Sequence, residues 1–261
     1  MNGLTSALWA ETLKARRSRV PLVTAIAIAL APLMGALFMV ILKDPEMARR
    51  FGLISTKAQL SSGVADWPAY LGLLTQATAI GGMVVFGLAA IWLFGREYSD
   101  RTIKDLLALP TSRAAIVVAK MIVLAIWTAL LATLVVALGL VLGAAIGLPG
   151  WSFGFALQSA GKIAVVAGLT FALATPFALA ASAGRGYLPP IGFLFLTIFL
   201  AQVIAALGWG VYFPWSVPAL LSGAAGPEGS DLGGASYALV LLTGLAGIAG
   251  ALVWWQSADQ S

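Results

Sequence analysis

The strongest constraint on the fold is a series of long apolar runs. Residues 21–42 carry no charged side chain, and roughly 20 helical residues are enough to cross a hydrocarbon core ~30 Å thick. Further predominantly apolar runs are found at residues 70–94, 114–147, 162–182, 188–208 and 236–255. Because 61% of the 261 residues are hydrophobic, a soluble fold could not hide them. The sequence therefore predicts an all-α membrane protein, a single transmembrane domain over 1–261 with six transmembrane helices.

Basic and apolar residues are mixed in the amino-terminal segment, residues 1–20. The candidate interface residues in this segment are the charged Glu11, Lys14, Arg16 and Arg17. Such a mixture favours an amphipathic interface helix on the membrane surface, although Glu11 interrupts the apolar face. A basic flank that orients the first span is the alternative, and the sequence does not choose between the two.

A second unusual segment lies between the fifth and sixth spans. Residues 208–223 are apolar and aromatic but contain Pro214 and Pro218. Two prolines at this spacing disrupt a spanning helix, whereas short helices that enter the membrane and return tolerate them. We therefore expect re-entrant helices here, with an aromatic loop at the membrane interface as the alternative.

Basic residues fall mainly in one set of alternate loops. With the amino terminus inside the cell, ten lysines and arginines lie on the inner side and five on the outer side. Basic residues concentrate in the cytoplasmic loops of membrane proteins, so this asymmetry predicts a multi-pass protein with both termini in the cytoplasm. The net charge of +5 then needs no nucleic acid partner to explain it.

Composition excludes several kinds of catalytic and metal site. The chain has no histidine and no cysteine, so it cannot contain a Ser-His-Asp triad, an HExxH zinc site or a thiolate nucleophile. A nucleotide-binding P-loop requires GxxxxGK[ST], but Ala156 stands at the first glycine position before Lys162, and Ile163 follows that lysine. We therefore expect no enzymatic activity, no cofactor and no metal on this chain.

A polar segment, residues 96–113, separates the second and third spans. Ser99 is a suitable N-cap for a short helix of about eight residues that a proline ends. Ile103, Leu106 and Leu107 would then form one apolar stripe on that helix. Such a stripe needs cover, either from a partner protein or from this chain's own helices and the lipid headgroups.

The chain resembles the membrane subunits of bacterial type-2 ABC exporters in three places. In and after the polar segment the shared positions are Glu97, Arg101, Thr102, Leu106, Leu107, Pro110, Ser112, Arg113 and Lys120. The other two places are AETLKARRSRVPL, which contains Glu11, and YFPW at residues 212–215. Within that family the chain is most similar to the bacitracin and lantibiotic self-protection permeases.

The resemblance implies the transmembrane subunit of an ATP-driven exporter in a bacterial cytoplasmic membrane. Two copies of a cytoplasmic ABC ATPase subunit would bind ATP and Mg²⁺, and a second permease copy or a close homologue would complete the translocation path. The polar segment would be a coupling helix seated in the ATPase subunit, with residues 1–20 as the interface helix. The resemblance implies docking through Glu97, Arg101, Thr102, Ile103, Leu106, Leu107, Pro110 and Arg113.

A largely apolar path suits hydrophobic or amphipathic cargo, such as a peptide antibiotic, a drug or a lipid-like molecule. The candidate path residues are Thr75, Gln76, Thr78, Thr170 and Gln202, although polar residues in spans more often bond neighbouring helices. An ion-coupled secondary transporter is an alternative, but no carboxylate stands in the middle of a predicted span. A membrane scaffold without transport activity is a further alternative that composition leaves open.

Overall fold

The fold is built from α-helices. A computed structural model describes residues 3–46, 63–108, 110–224 and 232–257, apart from the side chain of Leu107. Within these ranges there are nine α-helices and no β-strand. The helices are α1 (Gly3–Arg17), α2 (Val20–Lys43), α3 (Trp67–Ser99), α4 (Ile103–Leu107), α5 (Arg113–Ile146), α6 (Phe153–Ala183), α7 (Leu188–Ala206), α8 (Val217–Ser222) and α9 (Gly234–Ser257). Six of them, namely α2, α3, α5, α6, α7 and α9, are long and apolar enough to cross a membrane, which confirms the predicted fold class.

Two spans extend beyond their predicted limits. Helix α3 starts at Trp67, where the side chain of Asp66 accepts a hydrogen bond of 2.8 Å from the backbone N–H of Ala69 and caps the helix. Helix α6 starts at Phe153, nine residues before residue 162, where the fourth span was predicted to begin. The side chain of Lys162 is exposed, and a helix can carry it without ending there. At 31 residues, α6 measures about 46 Å and is longer than a bilayer core requires.

The far end of α5 is capped by the end of α2. The ammonium group of Lys43 donates to the carbonyls of Ile146 and Gly147, at 2.9 and 3.3 Å. A cation at a helix carboxyl end complements the exposed carbonyls and the helix dipole. Lys43 is one of the five basic residues that the loop count assigned to the outer side. Three of the others, Arg49, Arg50 and Lys57, lie outside the described residues, and so do residues 225–231 before α9.

Helices α3 and α6 form the centre of the bundle. Helix α9 packs on α6, helices α1 and α2 pack on α5, and α7 rests on α3 and α6. Glycines allow the closest of these contacts. A Cβ atom on Gly247 of α9 would lie 2.5 Å from the backbone nitrogen of Pro176 in α6. Pro176 has no N–H, so the carbonyl of Ala172 lacks its usual helical partner. The hydroxyl of Thr175 lies 2.9 Å from that carbonyl and 2.7 Å from the carbonyl of Gly244 in α9.

The segment between α7 and α9 turns back into the bundle. It forms two 3₁₀ turns, Gly210–Tyr212 and Pro214–Ser216, followed by α8. The indole N–H of Trp215 donates to the carbonyl of Leu173 in the body of α6 at 3.2 Å, and the hydroxyl of Ser216 donates to the carbonyl of Ala201 at 2.9 Å. This segment therefore packs among the spans, which is the geometry that a re-entrant segment requires.

Replacing Gly247 with alanine is expected to lower the free energy of unfolding by about 1–3 kcal/mol, because the new methyl group would overlap the backbone of α6. Gly161→Ala is the matched control, since a Cβ atom there meets nothing within 4 Å. The control should be neutral or stabilising by up to ~1 kcal/mol through helix propensity. Thermal unfolding of the detergent-solubilised protein measures both, and equal stability of the two variants would contradict the packing argument.

Candidate functional site

Four charged side chains meet at the α1 end of the bundle, and we call them the ionic cluster: Glu11, Lys14, Glu97 and Lys120. Lys120 is fully buried, and its ammonium group donates to Glu11 Oε2 at 3.0 Å, to Glu97 Oε1 at 2.7 Å and to the Leu93 carbonyl at 2.8 Å. These three bonds use all three of its donors. Lys14 also reaches both carboxylates, at 2.6 Å to Glu11 and 3.1 Å to Glu97.

The ionic cluster joins three separate helices. Glu11 lies on α1 in a buried stripe with Ala7 and Ala15, one helical turn apart, and this stripe packs on α5. Glu97 stands in the last turn of α3, and Lys120 in the second turn of α5. Glu11, which seemed to interrupt an apolar face of α1, therefore lies at the centre of its buried face. The largest apolar residue of α1, Trp9, is instead 67% exposed.

Lys14 lies on the open side of the ionic cluster, with 30% of its side chain exposed. Burial alone would lower the pKa of Lys14, but the charges of Glu97 and Glu11 and their hydrogen bonds to Lys14 outweigh this and raise the pKa above its ordinary value. Lys14 is therefore protonated at physiological pH. Two lysines then balance two carboxylates, so the ionic cluster is neutral as a whole.

The polar segment folds differently from its prediction at one point. Ser99 is the last residue of α3 and not an N-cap, because α3 ends in a Schellman-type turn with Arg101 in the left-handed region at φ 58°. In this turn the N–H of Thr102 bonds to the carbonyl of Glu97 at 2.9 Å. Helix α4 therefore starts only at Ile103 and is five residues long.

Two of the three residues of the predicted apolar stripe rest on this chain, and the side chain of the third, Leu107, lies outside the described residues. Ile103 is 7% exposed and belongs to the hydrophobic core, and Leu106 packs against that core. Of the two alternatives, the structure therefore favours burial of Ile103 and Leu106 against this chain's own helices over an apolar stripe left exposed for a partner. The residues that α4 and its flanks expose to solvent are mostly polar, namely Arg101, Thr102, Lys104 and Asp105, with the small apolar Ala108 and Pro110 beside them.

Arg113 connects the start of α5 with the end of α9. One of its guanidinium nitrogens donates to the carbonyl of Trp255 at 3.2 Å, while Ser112 caps α5 by accepting a bond from the N–H of Ala115 at 3.3 Å. Helix α1, the polar segment and the carboxyl end of α9 consequently lie at the same end of the bundle. The predicted docking residue Arg113 therefore has a bonding partner within this chain.

The predicted path residues divide into two groups. Thr75, Thr78 and Thr170 are at most 2% exposed, and each hydroxyl donates at 2.8 Å to the carbonyl four residues earlier in its own helix. They contribute to packing within one chain and do not line its surface. Gln76 and Gln202 are accessible, and they line two grooves on either side of Ile80.

These two grooves share one face of the bundle. The first, about 380 Å³, lies between α2 and α3 and is lined by Gln76, Ile80 and Gly81 among others. The second, about 80 Å³, lies between α3, α7 and the segment that connects α7 to α9, and its lining includes Gln202. Both are mainly apolar. In the described ranges, no group of three or more carboxylates is arranged to hold a metal ion.

Replacing Lys120 with methionine is expected to lower the free energy of unfolding by about 3–5 kcal/mol, because two buried carboxylates would lose their shared cation. Adding Glu97→Gln to this variant should restore part of the loss. Lys162→Met, at an exposed position, is the control for removal of a lysine charge. Denaturation in detergent micelles measures the effect, and a Lys120→Met variant as stable as the control would show that the ionic cluster is not structural.

Two comparisons with known proteins place the chain. Residues 7–202 match the profile of the ABC-2 family transporter proteins, which covers most of the chain. The chain is also 26% identical over 214 residues to the bacitracin transport permease protein BCRB of Bacillus licheniformis, covering 82% of this chain and 99% of that protein. The matched residues include the ionic cluster, the polar segment and the first groove, and they end at Gln202 in the lining of the second groove. The chain belongs to the ABC-2 family of transporter proteins.

Proposed function

We propose that this chain is the permease subunit of an ATP-driven exporter in a bacterial cytoplasmic membrane, with both termini in the cytoplasm. Membership of the family makes it a transmembrane, non-enzymatic subunit of an ABC transporter. The proposal that this subunit is driven by a separate ATPase rests on the direct connection between the polar segment and the buried ionic cluster. Glu97, the second residue of the polar segment and part of the last turn of α3, bonds to Lys120 of α5.

Docking to a separate ATPase subunit is proposed for the exposed part of the polar segment. Arg101, Lys104 and Asp105 present charges of both signs to solvent beside the five-residue α4. Complementary charges on a partner would fix its orientation and favour association. Ile103 and Leu106 would support this surface from below, because they seat α4 on the hydrophobic core.

Force applied to the polar segment would reach several spans. The segment continues directly from α3 and leads directly into α5, and these helices are joined through Glu97 and Lys120. Glu11 extends the same connection to α1. Closure of two ATPase subunits that bind ATP and Mg²⁺ would therefore move α1, α3 and α5 together, and shift the transporter between inward-facing and outward-facing states.

The translocation path is proposed to lie between two permease copies, or between this chain and a close homologue, at the grooved face of α2, α3 and α7. Helices α2 and α7, which contribute to this face, expose wide apolar surfaces, including Met34 at 56% and Phe199 at 64%. Gln76 and Gln202 provide the polar positions on either side of Ile80. This lining suits hydrophobic or amphipathic cargo, and the relative named as a bacitracin transport permease supports a peptide antibiotic as one such cargo.

Reversing charge in the polar segment is expected to reduce co-purification of the ATPase subunit. We would test Lys104→Glu combined with Asp105→Lys, because both side chains are exposed and the pair keeps the net charge. Lys162→Glu, in the distant half of α6, is the control. The permease alone should hydrolyse no ATP. Hydrolysis by the isolated chain, or full association by the double variant, would contradict the coupling proposal.

A cysteine at Ile80 is expected to form disulfide-linked dimers, because two copies would meet at the grooved face. The chain has no cysteine, so Ile80→Cys introduces a single thiol, at a position that is 39% exposed. Val165→Cys on α6, where the side chain is 52% exposed, is the matched control. Non-reducing electrophoresis of oxidised membranes measures the product. Equal cross-linking at both positions, or cross-linking at Val165 alone, would place the interface elsewhere.

A further inference from the structure

A polar cleft lies beside the ionic cluster, at the α1 end of the bundle. Its volume is about 370 Å³, and it is bounded by α1, the last turns of α3 and the residue before α7. The lining residues that carry polar or charged groups are Lys14, Arg17, Ser18, Trp92, Arg96, Asp100 and Tyr187. Apart from Lys14, which belongs to the ionic cluster, the residues of this cleft have no part in the proposed docking surface or path.

Arg96 forms the inner wall of the cleft, and its bonding is incomplete. Its guanidinium carbon lies 5.1 Å from the ring centroid of Trp92, and its Nε lies 3.5 Å from a carboxylate oxygen of Asp100. One terminal nitrogen, Nη1, is buried without a hydrogen-bond partner. The Arg96 side chain as a whole is 28% exposed and lines the cleft, so a negatively charged acceptor there would pair with the accessible part of its guanidinium group.

The charge of the cleft favours an anion. Lys14 is already balanced by the two carboxylates of the ionic cluster. Of the remaining charged lining residues, Arg17 and Arg96 carry two positive charges and Asp100 carries one negative charge. A net charge of +1 is therefore left.

The position of the cleft favours an acceptor that comes from the membrane. Trp92 lies within the apolar part of α3, whereas Arg96 and Asp100 mark its polar end, so the cleft spans the boundary between hydrocarbon and headgroups. Apolar surface continues from it, because Leu188 directly after Tyr187 is 82% exposed. A phosphate with attached acyl chains matches both the positive cleft and the apolar surface beside it, whereas a soluble anion matches only the cleft.

We infer that this cleft binds the phosphate of an anionic phospholipid from the leaflet at the α1 end, with Arg96 and Arg17 as its ligands. The accessible N–H groups of the Arg96 guanidinium donate to phosphate oxygens from the inner wall. Arg17 approaches from the exposed side of α1. The acyl chains extend along the exposed apolar surface at the start of α7.

The test compares binding of phosphatidylglycerol and phosphatidylcholine to the full-length protein, by native mass spectrometry from detergent. The wild-type protein should prefer phosphatidylglycerol. Arg96→Gln and Arg17→Gln should each reduce this preference by about fivefold, the change expected for one basic residue at an anionic headgroup. Arg17 is exposed, so its variant keeps the inference testable even if Arg96→Gln lowers stability.

Arg16→Gln is the matched control, because Arg16 is an exposed arginine on the same helix that does not line the cleft. It should keep the wild-type preference. An equal loss in the Arg16 and Arg17 variants would overturn the inference in favour of general attraction to a charged surface. Displacement of phosphatidylglycerol by inorganic phosphate would overturn it in favour of a soluble anion. Loss of ATPase association in both cleft variants with an unchanged lipid preference would overturn it in favour of a protein partner.

Discussion

The buried charge of Lys120 determines how one end of this bundle is assembled. An ammonium group removed completely from water needs acceptors at all three of its protons, and they come from α1 and α3. Helix α1 is too short to be stable alone in water, so its docking on α5 through Glu11 gives it a fixed place. The same ion pairs set the separation of α3 and α5 where the polar segment connects them.

Away from the ionic cluster, the spans satisfy their polar groups within one helix or by single bonds to a neighbouring helix, and they pack through small residues. Buried threonine hydroxyls bond to carbonyls of their own helices, and the hydroxyl of Tyr70 donates to the carbonyl of Pro32 at 3.0 Å. Gly143 makes room for the ring of Trp67, which would lie 2.5 Å from a Cβ atom there. Close packing of this kind replaces the hydrophobic driving force, which is weak between helices in lipid. It also leaves the larger apolar side chains free to face lipid or a second copy.

The sequence predicts the spans well because a hydrocarbon core imposes a length and an apolar composition that no other environment demands. It predicts the polar segment less well. The end of α3 depends on Arg101 in a left-handed conformation, and arginine gives no sequence signal for such a turn as glycine would. The role of Glu11 was also missed, because its partner Lys120 is 109 residues away. Helical spacing with Ala7 and Ala15, together with a lysine in the first turns of the third span, is the signal that could have suggested the pair.

The last two turns of α3 fix the relative positions of the cleft, the ionic cluster and the exposed part of the polar segment. Arg96 points into the cleft, while its neighbour Glu97 points into the ionic cluster, and the chain then turns into the exposed polar segment. Adjacent residues on a helix are separated by about 100°, so one rigid helix end presents different faces to each feature. A rotation of that end would displace Arg96 and Glu97 together. Binding in the cleft and docking at the polar segment would therefore act on the same piece of backbone, and thermodynamic coupling between them requires no further connection.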